Sequence, residues 1–239
     1  RGLYVLNPDA YAAIYAPGAR ADIARLVEFP APAQTAQSVR ANPALLASVD
    51  VILSGWGMTV LDEPLLAAAP ALKAVFYGAG SIRSFVTEAM WERGIIVTTA
   101  AHANALPVAE FTVAAIVMSL KQVWRLQREV REERRFVART PVIGMYGSTV
   151  GLIGLGMIGR MVAARLRSYD VHLLACDPFM TASSAVELGV ELCTLEAIFA
   201  RSDVISLHAP WLPQTEGMIT GAHPVSYTHL RPHQTELDL

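Results

Sequence analysis

Residues 149 to 160 read TVGLIGLGMIGR, and three of the glycines, Gly154, Gly156 and Gly159, fall in the order G-x-G-x-x-G. Glycines spaced this way can let a backbone turn tightly and approach an anion with its N–H groups. The motif is weak alone, because turns are rich in glycine. It gains weight from its setting: the apolar run TVGLI precedes it, and Ile158, Met161, Val162 and Leu166 then recur at helical spacing. In such a strand–turn–helix, Gly154 makes the turn, Gly156 admits a pyrophosphate and Gly159 packs helix on strand. The uncapped amides opening the helix, including those of Met157 and Ile158, face the phosphates with favourable dipole polarity.

A dinucleotide also needs an acidic residue near the end of the next strand, about 20 positions on. Asp177, in VHLLACDP, lies 18 residues past Gly159. Its carboxylate can accept hydrogen bonds from ribose hydroxyls and would repel an added 2′-phosphate. Two like charges ~4 Å apart repel by roughly 4 kcal/mol at a near-surface dielectric, so NAD is expected over NADP. The alternative is that Asp177 only opens an Asp-Pro turn.

Around this motif, short apolar runs alternate with helical stretches. Strands are expected at Leu3–Leu6, Val51–Ser54, Leu72–Tyr77, Ile95–Thr98, Thr149–Gly154, Val171–Cys176 and Val204–Leu207. Helices are expected at Ala21–Phe29, Leu61–Ala69 and Phe85–Arg93. This alternation implies βαβ units and parallel sheets. One longer helix is expected from Asn104 to about Phe136, with Pro107 in its first turn. Within it Lys121–Arg139 holds seven basic and three acidic residues. Interspersed signs fit a solvated helix better than a nucleic-acid patch.

The 239 residues are 53% hydrophobic and 17% charged with a net charge of −2, which argues against nucleic acid or an anionic membrane as partner. No uninterrupted apolar run approaches the ~18–20 residues of a membrane span. Cys176 and Cys193 are too few for a disulfide framework, and a cytoplasmic location is expected.

These motifs, taken in order, resemble the D-isomer-specific 2-hydroxyacid dehydrogenases. The resemblance rests on APALKAVFYGAGSI, ERGIIVTTAAHANALPVAEFT, VGLIGLGMIG, CDP and SDVISLHAPWLPQTEGMI, and covers roughly residues 1–221. It implies an α/β fold of two Rossmann-like domains: a flavodoxin-like substrate domain over 1–103 and a doubly wound NAD-binding domain over 104–222, with the active site in the cleft between them. It further implies hydride transfer between nicotinamide and C2 of a small 2-hydroxy or 2-keto acid, and a homodimer in the intact protein.

Carried onto this chain, the resemblance assigns the Gly78, Ala79 and Gly80 amides to the substrate carboxylate; the alternative is a plain strand-to-helix turn. Trp56, in SGWG, is expected either to shape the substrate pocket or to be buried packing. Asn104 and Glu110 match a crossover stretch, with capping and packing as the alternative. His208, Ala209, Pro210 and Thr215 match a segment lining the nicotinamide site, and His102 reads as a loop residue.

The family's catalytic Arg, Glu and His are not matched. Residues 223–239 read as a non-native tail, and the NAD-binding domain is expected to be incomplete and the chain inactive as written. His229 and His233 lie in this tail at i,i+4, but Pro232 and the lack of a third ligand speak against a metal site. Two further readings share the glycine loop: an NAD-sensing binding protein of the corepressor type, and an alanine dehydrogenase relative, which the H-x-P-x-x-x-x-T segment does not fit.

Overall fold

The computed structural model describes residues 1–136, 141–221 and 223; His229 and His233 lie outside them. The chain separates into two compact units, Arg1–Asn104 and a second beginning at Ala105. The first carries strands β1 (Gly2–Val5), β2 (Val51–Ser54), β3 (Ala74–Tyr77) and β4 (Ile96–Thr99), all parallel and in that order across the sheet. The second carries β5 (Ser148–Ile153), β6 (Val171–Cys176), β7 (Glu191–Leu192) and β8 (Val204–Leu207), again parallel, in the order β7-β6-β5-β8. The helices are α1 (Pro8–Ile14), α2 (Pro17–Ala24), α3 (Ala36–Ala41), α4 (Glu63–Ala68), α5 (Glu88–Glu92), α6 (Ala101–Leu120), α7 (Val123–Glu133), α8 (Met157–Leu166), α9 (Ala182–Leu188) and α10 (Leu195–Arg201).

In both units the central strands β1, β2, β5 and β6 are largely apolar and covered on both faces, as parallel sheets require, whereas β4 is mostly exposed. Leu3, Val5, Ile52 and Val75 enter one core of the first unit, while Tyr4, Leu6 and Leu53 point to a second core on the other face. In the second unit Val150, Leu152 and Leu173 pack with α8, whereas Ile153 and Leu174 pack with Ile198 and Phe199 of α10.

The first sheet hides part of its topology. Between β1 and β2 in sequence, Gln34 bridges Val5 in parallel: its N–H donates to the Tyr4 carbonyl (2.8 Å) and its carbonyl accepts from Leu6 N–H (3.0 Å). Counting that bridge as a strand gives the flavodoxin-like order 2-1-3-4-5. Pro30 and Pro32 have no N–H to donate, so the strand cannot extend backwards. The second sheet has the first half of the Rossmann order, 3-2-1-4.

Several elements differ from expectation. The predicted Ala21–Phe29 helix is displaced, and α2 ends at Ala24; α1, which begins at Pro8, was not expected. The long helix is two helices. α6 starts at Ala101, so Pro107 sits in its second turn, and the chain turns at Gln122 in the left-handed region (φ 52°) before α7. Gly144 N–H, donating to the Leu120 carbonyl at 3.0 Å, satisfies one of the acceptors this end exposes. α7 buries none of its residues, and Arg125 bonds Gln122 and Glu129 along its surface, as the solvated reading requires.

By length and composition α6 is apolar enough to cross a membrane, although His102, Asn104, Glu110 and Thr112 interrupt its apolar run. It is nonetheless a core helix on one side, since Ala109, Ile116 and Leu120 pack with Val150 and Leu152. Ile52 is fully buried at the centre of the first sheet. Its replacement by Ala is expected to cost about 2–5 kcal/mol, read as a lower denaturant midpoint for the first unit.

Candidate nucleotide-binding site

Strand β5 ends at Ile153, between β6 on one side and β8 on the other. That is where the strand order reverses, the point at which open α/β sheets bind ligands beyond their carboxyl ends. Gly154 takes φ +90°, and a Cβ there would lie 2.7 Å from Ala209 N, so the turn presses against the chain leaving β8. A Cβ on Gly159 would lie 2.2 Å from the Gly154 carbonyl oxygen, which only the absence of a side chain permits. Gly156 differs. It is the N-cap of α8, no side chain caps it, and a Cβ there would meet nothing within 4 Å. The three glycines thus serve a turn, a close packing contact and an open approach, in that order.

The first amides of a helix have no carbonyl one turn back to bond. With no capping side chain, those after Gly156 can be offered to a ligand's oxygens, at the end of α8 where the helix dipole favours negative charge. Met157 is 46% exposed here, whereas Ile158 packs into the core.

Asp177, one residue beyond β6, reaches across to this turn. Its Oδ2 accepts from Leu155 N–H at 2.6 Å and its Oδ1 from Phe179 N–H at 2.8 Å. The second bond is the Asp-Pro turn foreseen as the alternative; the first ties the carboxylate to the glycine loop, so the two readings hold together. Each oxygen keeps a lone pair for a further donor. Arg160 completes the arrangement from the other side, its Nε donating to the Leu155 carbonyl at 2.8 Å. Leu155 is therefore held at its N–H by an anion and at its C=O by a cation. Sequence reasoning overlooked Leu155 and Arg160, although an Arg directly after the third glycine was visible.

His208 continues β8 through its N–H, which donates to the Ile153 carbonyl at 2.7 Å. Its Nε2 lies 3.0 Å from Ser206 Oγ, and burial lowers its pKa. Beyond it Ala209 touches the glycine turn, and Thr215 organises its own loop, accepting from Leu212 N–H at 2.9 Å and donating to the Pro210 carbonyl. Gly154, Gly156, Asp177, His208 and Ala209 thus gather at the carboxyl edge of one sheet, with the Pro210–Thr215 loop following.

The first unit has its own reversal point, at the ends of β1 and β2. Asn7 N–H donates to the Trp56 carbonyl at 2.9 Å, and Gly57, at φ +92°, leaves room for the Asn7 side chain. Trp56 is 50% exposed there, so it is not buried packing. After β3, Gly78 spends its N–H on the Ser54 carbonyl (2.8 Å), and Ile14 fills the space its missing side chain leaves. That amide is unavailable to a ligand, a correction to the expected Gly78–Ala79–Gly80 cradle. Gly80 faces the Asn104 side chain, whose Nδ2 would lie 3.6 Å from a Cβ there. Asn104 is inside α6 rather than capping it, and His102 is in its first turn rather than in a loop.

The donor set fits a dinucleotide: an uncapped helix end, an open glycine and a carboxylate with spare acceptors, at a reversal point of the sheet. Comparison with known proteins agrees. Residues 113–223 match the family model of the D-isomer specific 2-hydroxyacid dehydrogenase NAD binding domain. The second unit is thus a Rossmann-type NAD-binding domain, and the chain belongs to the D-isomer-specific 2-hydroxyacid dehydrogenase family. A D-3-phosphoglycerate dehydrogenase of Mycobacterium leprae is 34% identical over 164 residues, covering 67% of this chain and 30% of that protein. A glyoxylate reductase of Korarchaeum cryptofilum is likewise 34% identical over 164 residues, covering 66% and 49%. The chain therefore spans between about a third and a half of the length of these relatives. The structure of an Aquifex aeolicus D-lactate dehydrogenase complexed with NAD and lactic acid superposes with a TM-score of 0.73 at 22% identity, covering 95% of this chain and 66% of that one.

Gly156→Val is expected to leave the fold's stability nearly unchanged while weakening NAD binding about tenfold or more, the cost of displacing a charge-assisted hydrogen bond. Gly159→Ala is expected to lower the unfolding midpoint as well, and calorimetry of both variants separates the two effects. For His208 the sign follows from burial. The unfolded state binds the proton more readily, so stability contributed above pH ~6.5 is lost as pH falls below that value. His208→Gln should flatten that part of the urea midpoint–pH curve.

Proposed function

We propose that the intact protein containing this chain is an NAD-dependent oxidoreductase acting on the C2 position of a small D-2-hydroxy or 2-keto acid. The observation that carries the proposal is the Asp177 carboxylate bound to the glycine loop at Leu155 N–H, which sets an acid for the ribose beside amides for the pyrophosphate. When bound, NAD supplies or accepts the hydride.

The chain's own residues do the holding. The Met157 and Ile158 amides bear the diphosphate charge, and Gly156 keeps the approach clear. Asp177 accepts from the ribose hydroxyls. Uncharged at neutral pH, His208 lines the nicotinamide side with Ala209, Pro210 and Thr215, and adds no positive charge there. At the first unit's carboxyl edge the Ala79 and Gly80 amides are the donors left for a substrate carboxylate, and Trp56 bounds the substituent. The relatives named above act on phosphoglycerate or glyoxylate; 2-keto acids of that size are the substrates to assay first.

We further propose a homodimer. Val108, Phe111 and Met118 of α6 are exposed, Phe111 to 75%, and fall on one face of the helix at about 100° per residue; such a row of large apolar side chains marks a contact surface.

The test is cofactor choice. Asp177 should make NAD bind more tightly than NADP by about three orders of magnitude, the equivalent of roughly 4 kcal/mol. Asp177→Asn should weaken NAD and narrow that gap, as read by calorimetry and by steady-state reduction of glyoxylate and hydroxypyruvate. A variant binding both dinucleotides as the parent does would overturn the reading.

A further inference from the structure

Two cysteines meet beside this site. Cys176 ends β6, and Cys193 directly follows β7. The strands are parallel, with Leu174 opposite Glu191 and Ala175 opposite Leu192. Cys193 N–H donates to the Ala175 carbonyl at 2.9 Å, a bond of the Ala175–Leu192 pair, and the same register carried one residue on sets Cys193 beside Cys176. Both side chains lie on one face, packed against the cluster of Ile153, Leu174, Ile198 and Phe199. Both are half-buried free thiols. Adjacent strands lie about 4.8 Å apart, within the ~4.4–6.8 Å between Cα atoms that a disulfide spans. Burial raises the pKa of both thiols; the Glu196 and Asp177 carboxylates raise Cys176 further, while Arg201 pulls Cys193 down against Glu191. At rest the pair is a dithiol.

We propose that Cys176 and Cys193 form a redox-sensitive dithiol, oxidised to an intramolecular disulfide by a low-molecular-weight disulfide, and that the bond weakens nucleotide binding at the adjoining glycine loop. In the first step the Cys193 thiolate attacks the small disulfide, forming a mixed disulfide and releasing one thiol. The Cys176 thiolate then attacks the Cys193 sulfur and releases the second. Two electrons pass from the protein to the oxidant, and the two protons lost by the cysteines end on the released thiols.

The coupling, which rests on the NAD-binding reading above, follows from strand order. A disulfide needs Cβ atoms about 3.8 Å apart, closer than side chains standing on strands about 4.8 Å apart. Closing that gap draws the end of β6 toward β7. β5 lies on the opposite side of β6, so the movement carries Asp177, the next residue, away from Leu155 N–H. The bond that orders the glycine loop is then lengthened. Strain of this kind also makes a disulfide easy to reduce, as a reversible switch needs.

The experiment uses the intact protein, equilibrated in glutathione buffers from reducing to oxidising, with mass, peptide map and NAD affinity read at each point. The expected result is loss of two hydrogens without a glutathione adduct, a 176–193 cross-linked peptide, and about tenfold weaker NAD binding that dithiothreitol reverses. Cys193→Ser should bind NAD as the reduced parent does and lose the response. Glutathione left on either cysteine, or two unmodified thiols at the oxidising limit, would overturn the pairing. A mapped disulfide with unaltered NAD affinity would overturn the coupling. Failure of the reduced protein to bind NAD would instead overturn the proposed function, while mass and map still decide the pair.

Discussion

The hydrogen bond from Leu155 N–H to the Asp177 carboxylate is the constraint on which the second unit's chemistry depends. It joins the loop after β5 to the end of β6 at 2.6 Å. Beside it the glycine turn is held by Gly154 N–H on the Cys176 carbonyl (2.9 Å) and by Arg160 on the Leu155 carbonyl, but neither of these places a negative charge at the loop. The cost is that a carboxylate sits close to where a diphosphate must go. The arrangement tolerates this because Asp177 faces the loop from the β6 side while the helix amides open beyond Gly156, and because Arg160 places a cation on the carbonyl of the same residue. The local field is thus divided, with the carboxylate acceptors on one side and the uncapped helix amides on the other, as the proposed function requires.

Glycine does its work here through what it excludes. Gly154 and Gly159 are so crowded that a Cβ would meet backbone atoms at 2.7 and 2.2 Å, whereas the site of a Cβ on Gly156 is open. A protein selecting only for a tight turn would have no reason to keep the middle position bare. That contrast, more than the motif itself, separates a ligand-binding loop from an ordinary strand-to-helix connection. Gly78 shows the opposite case. Its missing side chain is replaced by Ile14 and its amide is spent on the sheet, so a glycine that looked like part of a cradle is a packing glycine.

What could be read from the residues was what depends on local pattern. Strands β5, β6 and β8 are predominantly apolar runs, and the G-x-G-x-x-G with its distant acid is a motif whose spacing is set by one βαβ unit. What could not be read depends on partners far away in sequence. Strand β7 has two residues, and the Gln34 bridge has one, so neither leaves a period to detect; both exist because a neighbouring strand edge offers free carbonyls and amides. The break between α6 and α7 falls at Gln122, a residue with no special preference for the left-handed region it occupies. It is stabilised from Gly144, more than twenty residues on, and nothing near Gln122 announces it. Pro107 misled in the same way: its ring is compatible with a first turn, but the helix had already begun at Ala101.

The His208 environment fits this division of labour. A histidine at the end of β8 is the obvious proton donor to nominate, yet its backbone extends the sheet, its ring contacts Ser206, and burial disfavours its cation. A charged imidazolium beside the glycine turn would compete with the helix amides for the diphosphate and pull it toward β8. A neutral ring leaves the anion to the amides, which are fixed by the helix and need no reorganisation when the ligand arrives. On the proposed reading the site would bind an anion chiefly with oriented backbone, with the Asp177 carboxylate left for the sugar and Arg160 for the loop. Such a site is sensitive to small shifts of β6 against β5, because the groups that do the binding are backbone groups that move only with the strands themselves.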